Sequence, residues 1–546
     1  MPGPNPNDPN QPELPTPGAD EVSLLIDDRP VVVKKGTNVL EAAARLGLEV
    51  PHYCYHPGLS IVGNCRMCLV EIDRVPKLQI GCATPATQGM SVRTNTKRVL
   101  ESRQGIMEFL LINHPLDCPI CDQAGECRLQ QYSADHGRGF SRFEEEKEHY
   151  AKREAIGRDV TFDAERCIKC TRCIRFCDEI SQSNELGLFE RGDHAIIGTF
   201  PGRPLDNPYS GNTVDICPVG ALTWTPFRFK ARVWFLKNTP SICAACARGC
   251  NIDVAVYKNR VQRLTPRENM EVNRYWMCDA GRSSYEDRDA LPRLDRPHVR
   301  TGGEAPRAAA SDEALDQAAE LLKGIISRHG EKATAALVSA RLTTEDLHVV
   351  QRTLVDVIGI PRVAVLPHEE DEDDHLLIRR DKTPNARGAE LIGLGRPDVG
   401  RVKEIAEDVL AGRVRGLVVI GEDPLGDGLL ADSALGSLEA LIVVDQSMTR
   451  TVDVAHVALP ACAWGEVEGT YVNFEGRVQR TRAALRTENE AEPVWRVLSD
   501  LGRRFGRSSE YASASRVFDE IADQRPAFRD LSHKALGRLG APVKGE

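Results

Sequence analysis

The chain has 546 residues, a hydrophobic fraction of 41%, a charged fraction of 27% and a formal net charge of −10. These values are typical of a soluble globular protein with several domains, and the negative charge argues against nucleic acid as a partner. No apolar run approaches the roughly 18 residues that a membrane span needs. Seventeen cysteines in so long a chain, many at Cys-x2-Cys spacing, indicate metal binding or redox chemistry rather than a disulfide scaffold.

Residues 1–20 contain no Lys or Arg and no apolar segment, so they resemble neither a secretory signal nor a transit peptide. Their seven prolines predict a disordered tail. A first domain is predicted over 21–99, with strand-like runs at 22–27 and 31–33. A helix then begins after Asn38, with Glu41 as the partner in a capping box.

The first of four cysteine groups lies in this domain. Its members are Cys54, Cys65, Cys68 and Cys82. Soft thiolates gathered in fours bind zinc or iron–sulfur clusters. The glycine-containing loop 63–68 predicts backbone N–H groups close to the ligand sulfurs. His52 and His56 flank Cys54, but four cysteines complete a site, and we interpret both histidines as ordinary loop residues.

The second group lies in a predicted domain at 100–140. Its members are His114, Cys118, Cys121 and Cys127. Pro115 and Pro119 break any helix here and leave the ligands on a loop. Three cysteines and one histidine can also hold zinc. In a further alternative, His114 only hydrogen-bonds nearby while another group closes the site.

The third group lies in a predicted domain at 141–235. Cys167, Cys170, Cys173 and Cys177 have the spacing of a bacterial ferredoxin run, and Cys217-Pro218 is all that remains of a second run. In two-cluster ferredoxins the fourth cysteine of one run binds the other cluster. This rule predicts that Cys217 completes the site of the first three cysteines. It leaves Cys177 as a buried thiol.

The fourth group lies in a predicted domain at 236–292. Its members are Cys243, Cys246, Cys250 and Cys278. The segments 252–256 and 260–264 predict two short strands between the ligands. A zinc ribbon is the alternative interpretation.

The remaining region, 293–546, has an α/β pattern. Residues 288–310 have the composition of a linker, and a helix is predicted from Ser311. Apolar runs at 415–421 and 441–445 predict buried strands of a parallel sheet. No Gly-x-Gly-x-x-Gly motif follows a strand, which argues against a dinucleotide site. Cys462, the only cysteine after Cys278, is interpreted as a buried thiol.

Several of these segments resemble known redox modules. The first group resembles the adrenodoxin-like β-grasp [2Fe–2S] domains of large dehydrogenases. The second resembles the His-ligated [4Fe–4S] site of complex I, [FeFe]-hydrogenases and NAD-linked formate dehydrogenases. The fourth resembles the [4Fe–4S] domain of molybdopterin oxidoreductases. The body of those enzymes is resembled by three later segments, 382–388, 455–460 and 468–479. This body is short and has no Cys soon after Cys278, which argues against molybdenum chemistry, although a serine ligand stays open.

In chain order the four groups resemble the family of NADH-quinone oxidoreductase G subunits, the large iron–sulfur subunits of respiratory complex I. The resemblance implies a multidomain α+β and α/β fold: a β-grasp ferredoxin, cluster-binding ferredoxin-like domains and a shortened molybdopterin-oxidoreductase-like α/β body. It implies one [2Fe–2S] cluster, three [4Fe–4S] clusters and no functional molybdopterin.

The same resemblance implies a subunit without a complete active site of its own. It would relay electrons from an NADH-reduced flavin in a partner subunit toward quinone, while the whole complex translocates protons. Its partners would be the other peripheral-arm subunits, including the flavin- and NADH-binding subunit and the downstream iron–sulfur and quinone-site subunits. Its place would be the cytoplasmic side of the bacterial inner membrane.

Three alternatives accompany this interpretation. A truncated NAD-linked formate dehydrogenase-type iron–sulfur subunit shares the N-terminal half, but it needs a molybdenum ligand and a catalytic histidine downstream. An [FeFe]-hydrogenase needs further cysteines for its active cluster. The third is a non-redox scaffold in which all four groups bind zinc.

Overall fold

The computed structural model describes residues 14–190, 192–286, 290–302, 305–370, 372–507 and 511–544. The chain divides into two compact units, residues 1–235 and 236–546. Of the predicted tail, residues 1–13 lie outside the described residues, and residues 14–20 form irregular chain that ends in a turn. No helix among the described residues is long and apolar enough to cross a membrane.

The first unit begins with a five-stranded sheet and one helix, as predicted for a β-grasp domain. Its elements are β1 (Glu21–Ile26), β2 (Arg29–Lys34), α1 (Val39–Arg45), β3 (Leu69–Ile72), β4 (Gln79–Ile80) and β5 (Ser91–Arg93). The strand order is β2-β1-β5-β3-β4, with β1 parallel to β5. Asn38 caps α1 by accepting a hydrogen bond from the Glu41 N–H at 2.9 Å. The Glu41 carboxylate accepts one from the Tyr55 hydroxyl, so it ties α1 to the loop of Cys54.

Short elements separated by long loops form the rest of this unit. They are α2 (Lys97–Leu111), α3 (Arg128–His136), β6 (Glu154–Ala155), β7 (Val160–Phe162), α4 (Arg172–Glu179), β8 (Leu186–Phe189), β9 (Ile196–Thr199), α5 (Asn212–Asp215) and β10 (Leu222–Trp224). Strands β10, β7 and β6 form one small sheet, and β8 and β9 form a hairpin. Most of the candidate ligands lie on loops, so contacts between segments of the chain determine the positions of these ligands.

The second unit opens with a three-stranded antiparallel sheet followed by a short helix. These elements are β11 (Lys237–Ile242), β12 (Asn251–Tyr257), β13 (Arg260–Pro266) and α6 (Asp279–Ser283). The two strands predicted between the ligands of the fourth group are confirmed as β12 and β13.

A seven-stranded sheet forms the body of the second unit. Its elements are β14 (His298–Val299), β15 (Arg307–Ala308), α7 (Ser311–His329), β16 (Thr334–Ser339), α8 (Thr344–Val350), β17 (Arg362–Leu366), α9 (Ala386–Ile392), α10 (Val399–Leu410), β18 (Gly416–Ile420), β19 (Ala440–Asp445), α11 (Arg450–Val454) and β20 (Val457–Pro460). The order is β15-β14-β20-β19-β18-β16-β17, and β16 to β20 are parallel. The smaller elements β21 (Gly469–Val472), β22 (Arg477–Thr481), α12 (Val494–Arg504), α13 (Ala514–Gln524) and β23 (Ala541–Pro542) follow.

The central strands are buried on both faces, which explains their continuous apolar sequence. Val418 and Ile420 of β18 pack into a core with α7, α8 and α12, and Leu417 and Val419 pack into a second core with α10. The linker predicted at 288–310 is wrong in part, because β14 and β15 lie within it and add an antiparallel edge to the sheet. Short strands at a sheet edge tolerate a composition rich in Pro and Gly.

A buried ion pair connects the segment that follows α13 to α8. The His533 Nε2 atom lies 2.6 Å from Oε1 of the fully buried Glu345, and its Nδ1 atom lies 3.7 Å from Oε1 of Glu468. Burial opposes the charged imidazole, but the hydrogen bond to Glu345 and the nearby carboxylate of Glu468 raise the pKa of His533 to about 9. The imidazolium is therefore the form that stabilises this contact.

We expect the stability lost in a His533→Gln variant to depend on pH. The raised pKa stabilises the fold fully below the unfolded value of about 6.5, by on the order of 3 kcal/mol, and this contribution disappears as the pH rises through 9. Unfolding temperatures of both proteins from pH 6 to pH 9.5 measure it. His329→Gln, at a half-exposed pair with Glu439, serves as the control. A wild-type advantage that stays constant across this range would contradict the assignment.

Candidate metal centres

The first cysteine group lies where the loop 54–68 meets the end of β4. The loop turns at Gly63, whose φ of +62° is accessible to glycine at little cost. The Cys54 and Cys65 sulfurs are hydrogen-bonded, as are those of Cys68 and Cys82. The Cys65 thiol, followed by nearby backbone N–H groups, lowers the pKa of Cys54 to about 5. Two pairs of sulfurs suit a [2Fe–2S] cluster, in which each iron takes two of the four thiolates.

The two histidines beside Cys54 make local backbone contacts. The Nδ1 atom of His52 lies 2.9 Å from the Val50 carbonyl, and the Nδ1 atom of His56 accepts a hydrogen bond from the Gly58 N–H at 3.1 Å. Burial lowers the pKa of His52 to about 4 and that of His56 to about 3. Both imidazoles are therefore neutral near pH 7.

The second group surrounds a 3₁₀ turn, Cys118–Ile120, and the start of α3. Cys118 is exposed, Cys121 is buried, and Cys127 immediately precedes α3. Burial raises the pKa of both Cys121 and Cys127; the charge of the Cys118 thiol adds to both shifts, and that of the Cys121 thiol adds to the shift of Cys127. Gly220 lies against this group, because a Cβ atom there would be 2.1 Å from the Cys121 Sγ.

His114 lies beside a partly buried ion network. The Arg166 Nη2 donates to Asp117 at 2.8 Å, and the Lys152 Nζ lies 2.8 Å from the same carboxylate. Burial, and then the charge of Arg166, lowers the pKa of His114 to about 4. A neutral imidazole is the form that binds metals. Within the described part of the chain, His114 forms no hydrogen bond to the three thiols, so its place among the ligands stays a prediction.

The third group combines Cys167 and Cys170, which precede α4, with Cys173 on α4 and Cys217, two residues after the end of α5. Burial raises the pKa of Cys173, and the next largest causes are the nearby thiols of Cys170, Cys167 and Cys217. The buried Cys177 thiol is hydrogen-bonded to Ser183, and its charge acts on Cys173 less than those of the other three thiols do. These neighbours favour Cys217 over Cys177 as the fourth member of the group.

The loop from Cys217 to Gly220 contacts both the second and the third group. The Pro218 carbonyl lies 3.8 Å from the Cys127 Sγ and accepts a hydrogen bond from the Arg128 N–H at 3.2 Å. Two residues later, Gly220 packs against Cys121. One four-residue segment thus sets the separation of two candidate centres.

The fourth group lies between β11, β12 and α6 in the second unit. Burial raises the pKa of Cys243 and Cys250, and the other thiols of the group add to the shift. Cys278 caps α6, and its sulfur accepts a hydrogen bond from the Gly281 N–H at 3.3 Å. A Cβ atom at Gly281 would lie 3.0 Å from the Cys243 Sγ.

The donor chemistry of the four groups fits iron–sulfur clusters. Among the described residues, no three Cys, His, Asp or Glu side chains converge where one metal ion could sit. Buried thiols such as Cys243 resist ionisation, so their thiolates need nearby positive charge such as bound iron. Gly220 and Gly281 leave room beside the sulfurs that a side chain would fill.

The last cysteine has other neighbours. The Cys462 Sγ lies 3.5 Å from the Thr487 Oγ1 and 3.5 Å from the Ala491 carbonyl. Burial raises the pKa of Cys462 to about 11. These are the surroundings of a structural thiol.

Sequence reasoning missed two arginines on α4, Arg172 and Arg175. Both are buried, and both hydrogen-bond to the loop that begins at Cys54. Their spacing of three residues places them on one face of the helix. Two arginines on one face of a helix that carries a candidate ligand are a signal that sequence analysis could have used.

Five family profiles match successive parts of the chain. They are a 2Fe-2S iron-sulfur cluster binding domain at 19–97, an NADH-ubiquinone oxidoreductase-G iron-sulfur binding region at 103–142, an NADH-quinone oxidoreductase subunit 3 ferredoxin-like domain at 157–223, a molybdopterin oxidoreductase Fe4S4 domain at 236–287 and a molybdopterin oxidoreductase domain at 404–504.

Whole proteins are also similar to this chain. The NADH-quinone oxidoreductase G subunit of Rickettsia conorii is 43% identical over 62% of this chain and 49% of its own length. The protein of the same name from Streptomyces coelicolor is 39% identical over 70% and 45%. The mitochondrial NADH-ubiquinone oxidoreductase 78 kDa subunit of Candida albicans is 31% identical over 96% and 88%. The chain thus spans about half the length of the two bacterial relatives.

We expect Cys217→Ala to remove one [4Fe–4S] signal and Cys177→Ala to leave all signals in place. The charge of the Cys217 thiol adds to the raised pKa values of Cys167, Cys170 and Cys173, whereas the Cys177 thiol is hydrogen-bonded to Ser183. Low-temperature EPR of the reduced proteins and their iron content provide the measurement. Loss of a cluster in Cys177→Ala with every cluster kept in Cys217→Ala would reverse the assignment.

We expect Gly220→Ala to reduce iron binding at the second group. The added methyl carbon would lie 2.1 Å from the Cys121 Sγ, so that the sulfur or the loop must move. Gly105→Ala is the matched control, because no atom lies within 4 Å of a Cβ there and alanine favours its helix. Iron per chain is the readout, and equal values for both variants would contradict the predicted contact.

Proposed function

We propose that this chain carries electrons through protein-bound iron–sulfur clusters. The chain belongs to the family of the NADH-quinone oxidoreductase G subunit and the mitochondrial 78 kDa subunit. The observation that carries the proposal is the packing of three cysteine groups within the first unit. The loop Cys217–Gly220 joins the second and third groups, and the arginines of α4 join the first and third. Adjacent redox centres are what an electron relay requires.

Each group is proposed to hold one cluster. The [2Fe–2S] ligands are Cys54, Cys65, Cys68 and Cys82; the [4Fe–4S] ligand sets are His114, Cys118, Cys121 and Cys127, then Cys167, Cys170, Cys173 and Cys217, and last Cys243, Cys246, Cys250 and Cys278. Clusters of these types accept and donate single electrons when bound. The chain's own residues position the thiolates, exclude water from most of them and supply nearby charge.

We infer the direction of electron flow from the family to which the chain belongs. The proposed source is an NADH-reduced flavin in a partner subunit, and the proposed destination is quinone, reached through further iron–sulfur and quinone-site subunits. The whole complex would couple this transfer to proton translocation. The proposed place is the cytoplasmic side of a bacterial inner membrane, within the peripheral arm.

The second unit is proposed to be a scaffold without molybdopterin chemistry. The molybdopterin oxidoreductase profile matches residues 404–504, which include three strands of the seven-stranded sheet. However, the Cys462 sulfur contacts Thr487 and Ala491. A serine ligand for molybdenum is the alternative that a metal analysis decides.

We expect anaerobically purified protein to contain about fourteen iron atoms per chain and no molybdenum, from one two-iron and three four-iron clusters. The isolated chain should neither oxidise formate nor consume NADH, and it should restore NADH-to-quinone electron flow to a complex assembled without it. Metal analysis and the two activity assays on one sample are the test. Bound molybdenum with formate turnover, or two or more zinc atoms per chain, would overturn the proposal.

A further inference from the structure

Two arginines of α4 connect the first and third cysteine groups. The Arg175 Nη2 donates hydrogen bonds to the Cys54 carbonyl at 2.6 Å and to the Cys170 carbonyl at 3.4 Å. The Arg172 Nη1 donates to the Ile216 carbonyl at 3.0 Å, and its Nη2 donates to the Tyr55 carbonyl. Each guanidinium therefore touches a ligand residue, or the neighbour of one, in both groups.

Both guanidinium groups are buried, and neither has a carboxylate partner within the part of the chain that the structure describes. Arg172 is 6% exposed and Arg175 is 9% exposed. Among the described residues their hydrogen bonds go to uncharged oxygens, which are backbone carbonyls and the Thr171 hydroxyl. A buried charge without an opposite charge is strongly unfavourable. The negative charge that compensates these two arginines must come from groups other than Asp or Glu in ion-pair contact.

The atoms that the two guanidinium groups contact belong to both cysteine groups. Arg175 donates to the carbonyls of Cys54 and Cys170, and Arg172 donates to the carbonyls of Tyr55 and Ile216, which adjoin Cys54 and Cys217 in the chain. An iron–sulfur cluster held by four thiolates carries net negative charge. Clusters bound at the two groups would therefore compensate both cations.

We propose that Arg172 and Arg175 form a cationic bridge shared by the first and third metal centres, and that this bridge raises the reduction potentials of both. The inference rests on the proposed function, since it concerns clusters bound at these two groups. Reduction adds one negative charge to a cluster, and a fixed positive charge in a buried site favours that state. Because one pair of cations serves both centres, the two potentials shift in the same direction, which keeps electron transfer between them close to balance.

The two arginines act on the clusters through the ligand segments that they contact and through their charge. A purely structural role would not change the reduction potentials. Arg175→Gln removes the charge and keeps a hydrogen-bond donor, whereas Arg175→Lys keeps the charge and loses the planar fork. Arg142→Gln is the matched control, because it removes the same charge from an exposed pair with Glu108.

The experiment is a redox titration of the full chain followed by EPR, with iron content measured for every variant. For Arg175→Gln we expect at least a tenfold fall in the ratio of reduced to oxidised cluster at the wild-type midpoint, about 59 mV for one electron, at both the [2Fe–2S] signal and the third-group signal. Arg175→Lys and Arg142→Gln should keep midpoints near the wild type. Unchanged midpoints in Arg175→Gln, or a shift confined to one of the two signals, would overturn the inference.

Arg172→Gln decides the question if Arg175→Gln loses iron, since the same fall at both signals is expected from either arginine. An iron-loaded Arg172→Gln protein with wild-type midpoints would overturn the inference. If both glutamine variants lose iron while Arg175→Lys retains it, the requirement for positive charge at the bridge is supported. A wild-type chain without these two EPR signals would refute the proposed function itself, which separates that failure from the failure of the bridge.

Discussion

The burial of thiolate sulfur is the constraint on which the structure of the first unit depends. A thiol taken out of water resists ionisation, as the raised pKa values of the third-group cysteines illustrate. Binding iron as thiolate therefore requires compensating positive charge and hydrogen-bond donors that the fold holds in place. Buried arginines, glycines in close contact with sulfur and backbone N–H groups supply them.

The long-range contacts between segments follow from this requirement. The loop after α5 returns Cys217 to the cysteines near α4, and its next residues fill the space beside the second group. The arginines of α4 reach back to the loop of Cys54. Each segment thus completes the surroundings of a centre whose other ligands lie elsewhere in the chain, and folding of the three regions is linked.

The second unit follows a different physical logic. Its parallel sheet is stabilised by apolar burial on both faces, and the buried Glu345 is paired with His533. The sheet is a hydrophobic scaffold that does not depend on a bound group for its core. This difference agrees with a role in structure for the body and with redox chemistry in the regions rich in cysteine.

Local sequence patterns predicted the candidate ligand groups and many of the main helices and strands. Cysteine spacing is local, and so is the alternation that indicated the strands around the fourth group, because both depend on residues close together in the chain. The ferredoxin rule even separated Cys217 from Cys177, since the missing second run left Cys177 without partners.

Tertiary structure decided what depends on residues far apart. Only packing shows that Gly220 touches Cys121, that Arg172 and Arg175 reach the loop of Cys54, and that residues 298–299 and 307–308 join a sheet instead of forming a linker. The hydrogen-bond partners of a guanidinium depend on which groups lie close to it in space. An edge strand forms where a neighbouring strand has unpaired backbone groups. Residue spacing can place Arg172 and Arg175 on one face of a helix, but only the folded chain shows that they lie between two candidate centres.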